Sequence, residues 1–191
     1  NANLNEFAQP TRYSWLTAFA GKYMNDWLTI SASALATIIN EDVKEGGSAG
    51  NHRKLTPYIS ASFKPFYHEE FRIRFFYKDI FRLPSFNDLY YQEVGTTKLR
   101  PENARQYNVG LTYSKNVCPF LPYLSATIDA YYNKVTDKII AYPTKNLAVW
   151  SMRNLGEVEI KGIDATGSLS LQPWERIRIN LSSNYTYQQA L

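Results

Sequence analysis

The chain has 191 residues, including 15 Tyr, 10 Phe and 4 Trp, and a formal net charge of +4. Its 9 Gly and 9 Pro are unremarkable and exclude collagen-like and disordered classes. Acidic and basic residues are interspersed, which argues against a nucleic-acid-binding surface. The single cysteine, Cys118, excludes an internal disulfide and a cysteine-based zinc site. No basic-then-apolar signal peptide opens the sequence, so an exported protein would be mature or a fragment.

Apolar residues alternate with polar ones along most of the chain, which predicts β-strands. In the clearest stretch, 71–78, four apolar residues alternate with Arg72, Arg74, Phe76 and Lys78. A helix would scatter the three cations among them around its surface, so a strand is favoured. In chain order the pattern predicts about eight strands, near 11–20, 28–38, 56–64, 71–78, 107–113, 123–132, 156–171 and 176–187. Several approach the roughly 10 residues that a tilted strand needs to cross a bilayer.

The predicted connections alternate between short and long. Short turns fall at 21–26, 65–69, 114–122 and 172–175, and longer links at 40–55, 83–103 and 133–154. This alternation is typical of an outer-membrane barrel, which has tight periplasmic turns and long extracellular loops. Aromatic residues also collect at strand ends, where interfacial girdles form: Tyr13, Trp15, Trp27, Tyr67, Tyr77, Phe81, Tyr113, Tyr132, Trp174, Tyr185 and Tyr187.

One stretch carries a family resemblance. Residues 79–113 read DIFRLPSFNDLYYQEVGTTKLRPENARQYNVGLTY, and their informative positions are Phe81, Arg82, Pro84, Ser85, Asp88, Leu89, Tyr90, Gly95, Leu99, Pro101, Glu102, Tyr107, Gly110 and Leu111. The block resembles one found in TonB-dependent outer-membrane receptors, although Thr96-Thr97 replaces the Asn-Pro of many members. Stretches 129–139 and 154–164 resemble the same family in the same order.

The resemblance implies an all-β fold: an antiparallel up-and-down meander of about eight strands, part of a transmembrane β-barrel wall. Because such barrels have about 22 strands, residues 1–191 are expected to be a partial barrel, without the plug domain and the barrel ends. The resemblance also implies a bacterial outer-membrane location and import of a scarce ligand, such as a ferric siderophore, cobalamin or an oligosaccharide. The implied partners are outer-membrane lipid, the ligand, and TonB acting through the absent plug domain.

Individual residues agree with a barrel wall. Pro84 and Pro101 lack an N–H and are expected at a loop boundary. Gly110 and Gly162 indicate a bulge or a close approach of the backbone. Alternation predicts that charged strand residues turn toward the lumen, because a charge against lipid is unfavourable; these residues are Arg72, Arg74, Asp129, Arg176 and Arg178.

Catalytic chemistry is not expected, so the chain is predicted not to be an enzyme and to need no cofactor. His52 and His68 lie in different links, which disfavours a metal site or a catalytic triad. Glu157 and Glu159 are interpreted as like charges on the lumen wall, not as an acid/base pair. Candidate ligand contacts lie in the predicted extracellular links, with loop packing as the alternative for each: Arg82, Tyr90, Tyr91 and Trp150.

Two other architectures stay open at this point. One is a small, self-contained eight-stranded barrel with a structural or adhesive role, and the other is a soluble β-sandwich binding module. A closed small barrel requires its first and last strands to pair. An excised wall leaves 12–20 and 177–187 as open edges, and the isolated chain is then expected to self-associate through its edges or its apolar face.

Overall fold

A computed structural model describes residues 9–44, 46–91, 94–143 and 150–191. It confirms the all-β meander, since eight antiparallel strands form one sheet in sequence order. The elements are β1 Pro10–Met24, β2 Leu28–Val43, β3 His52–Phe63, β4 Glu70–Arg82, α1 Phe86–Tyr90, β5 Glu102–Lys115, β6 Tyr123–Pro143, β7 Trp150–Trp174 and β8 Ile177–Ala190. Within those four ranges, no helix is both long and apolar enough to cross a membrane.

Both outer strands of the sheet pair on one side only. Over the described ranges, β1 pairs with β2 and β8 pairs with β7, and the two do not pair with each other. The chain therefore does not close into an eight-stranded barrel. A single sheet also excludes the two-sheet sandwich.

The strand register separates an apolar face from a polar face. Residues paired across antiparallel strands lie on the same face. Phe75, Val109, Ala130 and Ile163 are successive partners and belong to the apolar face. Three of these side chains, Phe75, Val109 and Ile163, are exposed, so none of the residues that the structure describes covers them.

The polar face carries four of the five charged residues that the sequence predicted to turn toward the lumen. Arg72, Arg74, Asp129 and Arg178 lie there, whereas Arg176 lies in the tight turn between β7 and β8. The Arg74 guanidinium lies 2.9 Å from the Asp129 carboxylate.

Two glycines on this face make room for neighbouring side chains. A Cβ on Gly110 would lie 2.2 Å from the Asp129 carboxylate, and one on Gly162 would lie 2.5 Å from the Tyr131 hydroxyl. The close approach predicted at both glycines is confirmed.

The third predicted long link, 133–154, is wrong over most of its length. β6 and β7 continue through 133–143 and 150–154 as a paired hairpin, while 144–149 lies outside the described ranges. Asp137 has a positive φ of 56° and is unpaired, while the pairing register is the same on both sides of it. The short–long alternation therefore holds through β5 and fails at this link.

The placement of Glu157 and Glu159 on the lumen wall is also wrong. Glu159 is the partner of Lys134 and lies an even number of positions from Ile163, so both glutamates point to the apolar-face side. The Lys134 ammonium lies 2.6 Å from Glu157 and 3.8 Å from Glu159. The two carboxylates do share a face, and the cation between them offsets their repulsion.

Candidate functional site

A hydrophobic cluster lies at the end of the sheet where β2–β3, β4–β5 and β6–β7 connect. Leu89, Tyr90, Leu99 and Ile139 form its buried centre. Val43, Ala49, Phe86 and Met152 pack around them. We call these eight residues the loop cluster. It joins the β2–β3 and β4–β5 connections to the paired ends of β6 and β7, so segments far apart in sequence form one packed unit.

The helix at the centre of this unit is fixed at its start. Pro84 is fully buried and precedes the N-cap, Ser85. The Ser85 hydroxyl accepts from the Asp88 N–H at 3.2 Å, and the Asp88 carboxylate accepts from the Ser85 N–H at 2.9 Å. This reciprocal capping box satisfies two otherwise free helix donors. The serine and aspartate of the family block therefore have a structural role.

A buried ionic network ties the helix to the first two strands. The Tyr90 hydroxyl donates to Glu41, whose side chain is 2% exposed. Arg12 lies 2.6 Å from the same carboxylate and donates to the Pro84 carbonyl at 3.1 Å. Its guanidinium also lies 4.7 Å from the centre of the Phe86 ring. Burial, followed by the hydrogen bond to Glu41, raises the pKa of Tyr90.

A second network fixes residues 99–101 to the β6–β7 hairpin. The Arg100 guanidinium donates to Asp137 at 2.5 and 2.9 Å. Asn154 donates to the Asp137 carbonyl at 2.7 Å and to the Arg100 carbonyl at 2.9 Å. Asn154 also accepts from the Arg100 N–H at 2.8 Å. These contacts hold Asp137 in its left-handed conformation.

The four candidate ligand residues differ in accessibility. Tyr90 is 8% exposed inside the loop cluster, and Arg82 pairs with Glu102 at 2.9 Å and with Asp88 at 3.8 Å. Tyr91 and Trp150 are 52% and 48% exposed. Tyr90 and Tyr91 therefore lie in the connection 83–101, Arg82 ends β4 directly before it, and Trp150 begins β7.

A cleft of about 250 Å³ beside Tyr91 adds residues that the sequence did not single out. Val94 and Met152 line it, together with Asn87 and Asp88. The Met152 N–H donates to the Val94 carbonyl at 2.9 Å, which joins the two connections. Met152 was missed because it falls within the long link predicted for 133–154.

The remaining family-block residues support the same structure. Leu99 is buried in the loop cluster, and the Glu102 carboxylate accepts from the Ile139 N–H at 3.3 Å as well as pairing with Arg82. The Phe81 ring contacts the His52 ring, with centroids 6.5 Å apart.

The two histidines and the cysteine lie in separate parts of the structure. His52 begins β3 near the loop cluster, whereas His68 lies in the turn 64–69 beside Tyr67. Cys118 is exposed in the connection 116–122. Over the described ranges, no group of three or more His, Cys, Asp and Glu could hold a metal ion.

The apolar face forms a band whose edge is marked by aromatic residues. At the loop end, Tyr13 closes the band on β1, Tyr77 on β4 and Tyr187 on β8. These residues do not lie in one pairing row. When the pairing partners of Tyr77 are followed from strand to strand toward β1, they end at Gly21, which is eight residues from Tyr13. When they are followed toward β8, they end at Gln189, which is two residues beyond Tyr187.

The edge of the band therefore runs diagonally across the sheet. It shifts by about ten residues over the seven steps between neighbouring strands. With a rise of about 3.3 Å per residue and a strand spacing of about 4.8 Å, this slope corresponds to a strand tilt of about 45°. Strands of membrane barrels tilt by roughly 35–45°. When strands are tilted, a band that runs diagonally across them lies level, so every strand can cross a flat apolar layer at the same height.

Comparison with known sequences agrees with this geometry. The family described as "TonB dependent receptor-like, beta-barrel" matches residues 11–191. The vitamin B12 transporter BtuB of Vibrio vulnificus is 33% identical over 84 residues, which cover 44% of this chain and 13% of the relative. The transporter of the same name from Photobacterium profundum is 30% identical over 94 residues, which cover 47% and 14%. The matches thus span about one seventh of the length of these relatives.

Solved structures share the fold at low sequence identity. The copper transporter OprC aligns with a TM-score of 0.71 and 13% identity, covering 95% of this chain and 29% of that one. The alcaligin outer-membrane receptor FauA from Bordetella pertussis aligns with a TM-score of 0.59 and 15% identity, covering 95% and 31%. At these identities the likeness concerns the fold alone.

Proposed function

Because this chain belongs to the TonB-dependent receptor β-barrel family, we propose that it forms part of the wall of a bacterial outer-membrane receptor that imports a scarce ligand. The supporting observation is the loop cluster, in which two connections pack against the ends of β6 and β7 at one end of a slanted apolar band. In this proposal the band faces lipid and the loop cluster faces the exterior, where ligand arrives.

The proposal assigns the missing parts to a longer protein. A plug domain outside this chain would fill the lumen and contact TonB, and further strands would pair with β1 and β8. Without them, the isolated chain should associate through its open edges or its apolar face. A monodisperse monomer in sedimentation would count against a wall segment.

Within this wall, Tyr91 and Trp150 are the proposed ligand contacts. Both are aromatic and about half exposed, so they have free surface to offer a bound molecule. Tyr90 and Arg82 are already bonded within the loops and would act by positioning Tyr91. No catalytic group is assigned, since transport needs selective binding and release and no bond chemistry on the ligand.

Cobalamin is the first ligand to test, because the two curated relatives are named as vitamin B12 transporters. The full receptor would be produced in cells that lack their own cobalamin receptor, with and without TonB. Uptake of labelled cyanocobalamin should require both proteins. A ferric siderophore and an oligosaccharide would be assayed in parallel, and TonB-independent behaviour with all three would contradict the proposal.

Substitutions test whether Tyr91 and Trp150 contact the ligand. Replacing both aromatic residues (Tyr91→Ala with Trp150→Ala) should weaken binding of the transported ligand by about tenfold or more. Tyr67→Ala is the matched control, because Tyr67 is 83% exposed in a turn at the opposite end of the sheet. Equal affinity of the double variant and the control would show that the ligand contacts lie elsewhere.

A further inference from the structure

A polar cleft of about 240 Å³ opens beside the edge of the apolar band at β4, β5 and β6. Three cationic side chains line it, together with one carboxylate, one amide and one hydroxyl: Lys54, Arg105, Lys134, Asp79, Asn103 and Thr136. The cleft is separate from the Tyr91 cleft described above, and the import proposal gives it no role.

Two of the cations face each other across neighbouring strands. Arg105 and Lys134 are direct partners in the β5–β6 register, and like charges in that position destabilise a sheet. Lys134 is compensated by Glu157 at 2.6 Å and Glu159 at 3.8 Å.

Arg105 is compensated much less. Its one ion pair within the described ranges is a 3.9 Å contact with Asp79, and that carboxylate also accepts from the Tyr77 hydroxyl at 2.5 Å. The Arg105 side chain is 63% exposed. Its guanidinium thus retains free donors suited to two oxygens of a phosphate.

The amide in the cleft adds a requirement of its own. The Asn103 Oδ1 is buried and has no donor within the described ranges, while its Nδ2 donates to the Pro101 carbonyl at 3.2 Å. A buried acceptor without a donor is unfavourable. A ligand that combines a phosphate with a hydroxyl or amide N–H would meet the needs of both Arg105 and Asn103.

The position of the cleft favours a lipid over a soluble phosphate. Tyr107 and Tyr132 are the next outward-facing residues after Arg105 and Lys134 in the direction of the band. They are direct partners, and their ring centroids are 6.2 Å apart. Beyond them the same face continues through exposed Val109 and Ile128. A molecule with its phosphate in the cleft would therefore extend its other end along an apolar surface.

We propose that this cleft binds the phosphorylated sugar headgroup of a glycolipid in the outer leaflet. Arg105 and Lys134 hold the phosphate. The Asn103 Oδ1 accepts a hydrogen bond from a hydroxyl or an amide N–H of the headgroup, and the acyl chains lie against the band. Tyr107 and Tyr132 mark the level at which headgroup gives way to acyl chain. Bound lipid gives Arg105 the countercharge that Asp79, at 3.9 Å, only partly provides.

The test uses the full receptor in detergent and counts bound lipid by native mass spectrometry. The probes are bisphosphorylated lipid A, the same lipid without its phosphates, and inorganic phosphate. Replacing both cations (Arg105→Gln with Lys134→Gln) should weaken binding of the bisphosphorylated lipid by about tenfold or more. Arg105→Lys should bind the lipid more weakly than the unmodified receptor and more strongly than Arg105→Gln, since it keeps the charge and loses the two-oxygen geometry.

Lys115→Gln is the matched control. Lys115 lies on the same strand and the same face at the other end of the band, and it pairs with Glu69 at 2.7 Å. Its lipid binding should equal that of the unmodified receptor. Stronger binding of the bisphosphorylated lipid than of the other two probes supports the proposal. The proposal is overturned if the double variant binds like the control, or if inorganic phosphate displaces the lipid at equal concentration.

Ligand uptake separates this proposal from the import proposal. A double variant that still imports is folded, so its loss of lipid is specific to the cleft. If the double variant does not fold, the single Arg105→Gln variant replaces it, and its binding of the bisphosphorylated lipid is compared with that of Lys115→Gln. Lipid binding that persists when no ligand is imported would leave the headgroup site standing and remove only the import proposal.

Discussion

Leu89 in the loop cluster is 3% exposed, whereas Val109 in the apolar band is 52% exposed. The same kind of side chain is covered by protein in one region and left uncovered in the other. The loop cluster is stabilised by burial and by charges held at short range. The band has no such internal core, so its stability depends on the medium around it. The two regions should therefore respond differently to the same type of substitution.

The largest effect is expected from the buried charge of the loop region. Glu41→Ala would leave Arg12 and the Tyr90 hydroxyl without their shared acceptor, because the Glu41 side chain is 2% exposed. Removing one partner of a buried ion pair typically reduces stability by about 3–5 kcal/mol. Proteolysis of the connection 83–101 in the folded receptor should reveal this loss as local opening.

Glu157→Ala is the control for that change. Glu157 also lies 2.6 Å from its cation, but its side chain is 47% exposed. Solvent screens such a pair, so the expected loss is about 0–1 kcal/mol. Equal sensitivity of the two variants to protease would mean that burial does not distinguish the two ion pairs.

The next largest effect should come from a charge placed on the band. Ile128 lies on the apolar face, and its neighbour Thr127 lies on the polar face. Ile128→Arg should reduce the free energy of unfolding in lipid vesicles by about 2–4 kcal/mol, because arginine would face acyl chains. Urea titration measures this difference. Thr127→Arg places its charge on the opposite face and should reduce the free energy of unfolding much less. A larger reduction for Thr127→Arg than for Ile128→Arg would mean that the two faces are assigned the wrong way round.

Much of the band could be predicted from sequence because its period is local. Phe71, Ile73, Phe75 and Tyr77 reveal their common face without any knowledge of other strands. The slant of the band could not be predicted in this way. It depends on which residue pairs with which across seven steps, and register is a non-local property.

The loop cluster was only partly predictable for the same reason. The family block located Leu89, Tyr90 and Leu99, but nothing in its pattern showed that Tyr90 would bond to Glu41, 49 residues earlier. Glu157 and Glu159 were assigned to the wrong face because the charge rule for lipid was applied beyond the band. In the proposed wall, the outward face above the edge of the band would meet water or headgroups, where charges are tolerated.

A smaller effect is expected where a side chain is added to the polar face. Gly110→Ala would place a methyl group 2.2 Å from the Asp129 carboxylate and 2.8 Å from the Arg74 guanidinium. Separating this ion pair should reduce stability by about 1–3 kcal/mol, as overpacking usually does. Gly167→Ala is the control, because nothing lies within 4 Å of its added Cβ. Urea midpoints of the two variants measure the difference, and equal midpoints would show that the glycine is not needed for the ion pair.

The smallest effect is a titration in the loop region. Burial and the Glu41 hydrogen bond raise the pKa of Tyr90 above its ordinary value of about 10. A raised pKa contributes stability that is fully present below pH 10 and is lost as pH rises through the folded-state pKa. The difference in tyrosinate absorbance between the receptor and Tyr90→Phe should therefore appear above pH 10. In Glu41→Gln the transition should move toward 10 but remain above it, since burial is the larger cause. A transition at 10 in the unmodified receptor would mean that Tyr90 is solvated, and the contrast between a packed loop cluster and an open band would then fail at its central residue.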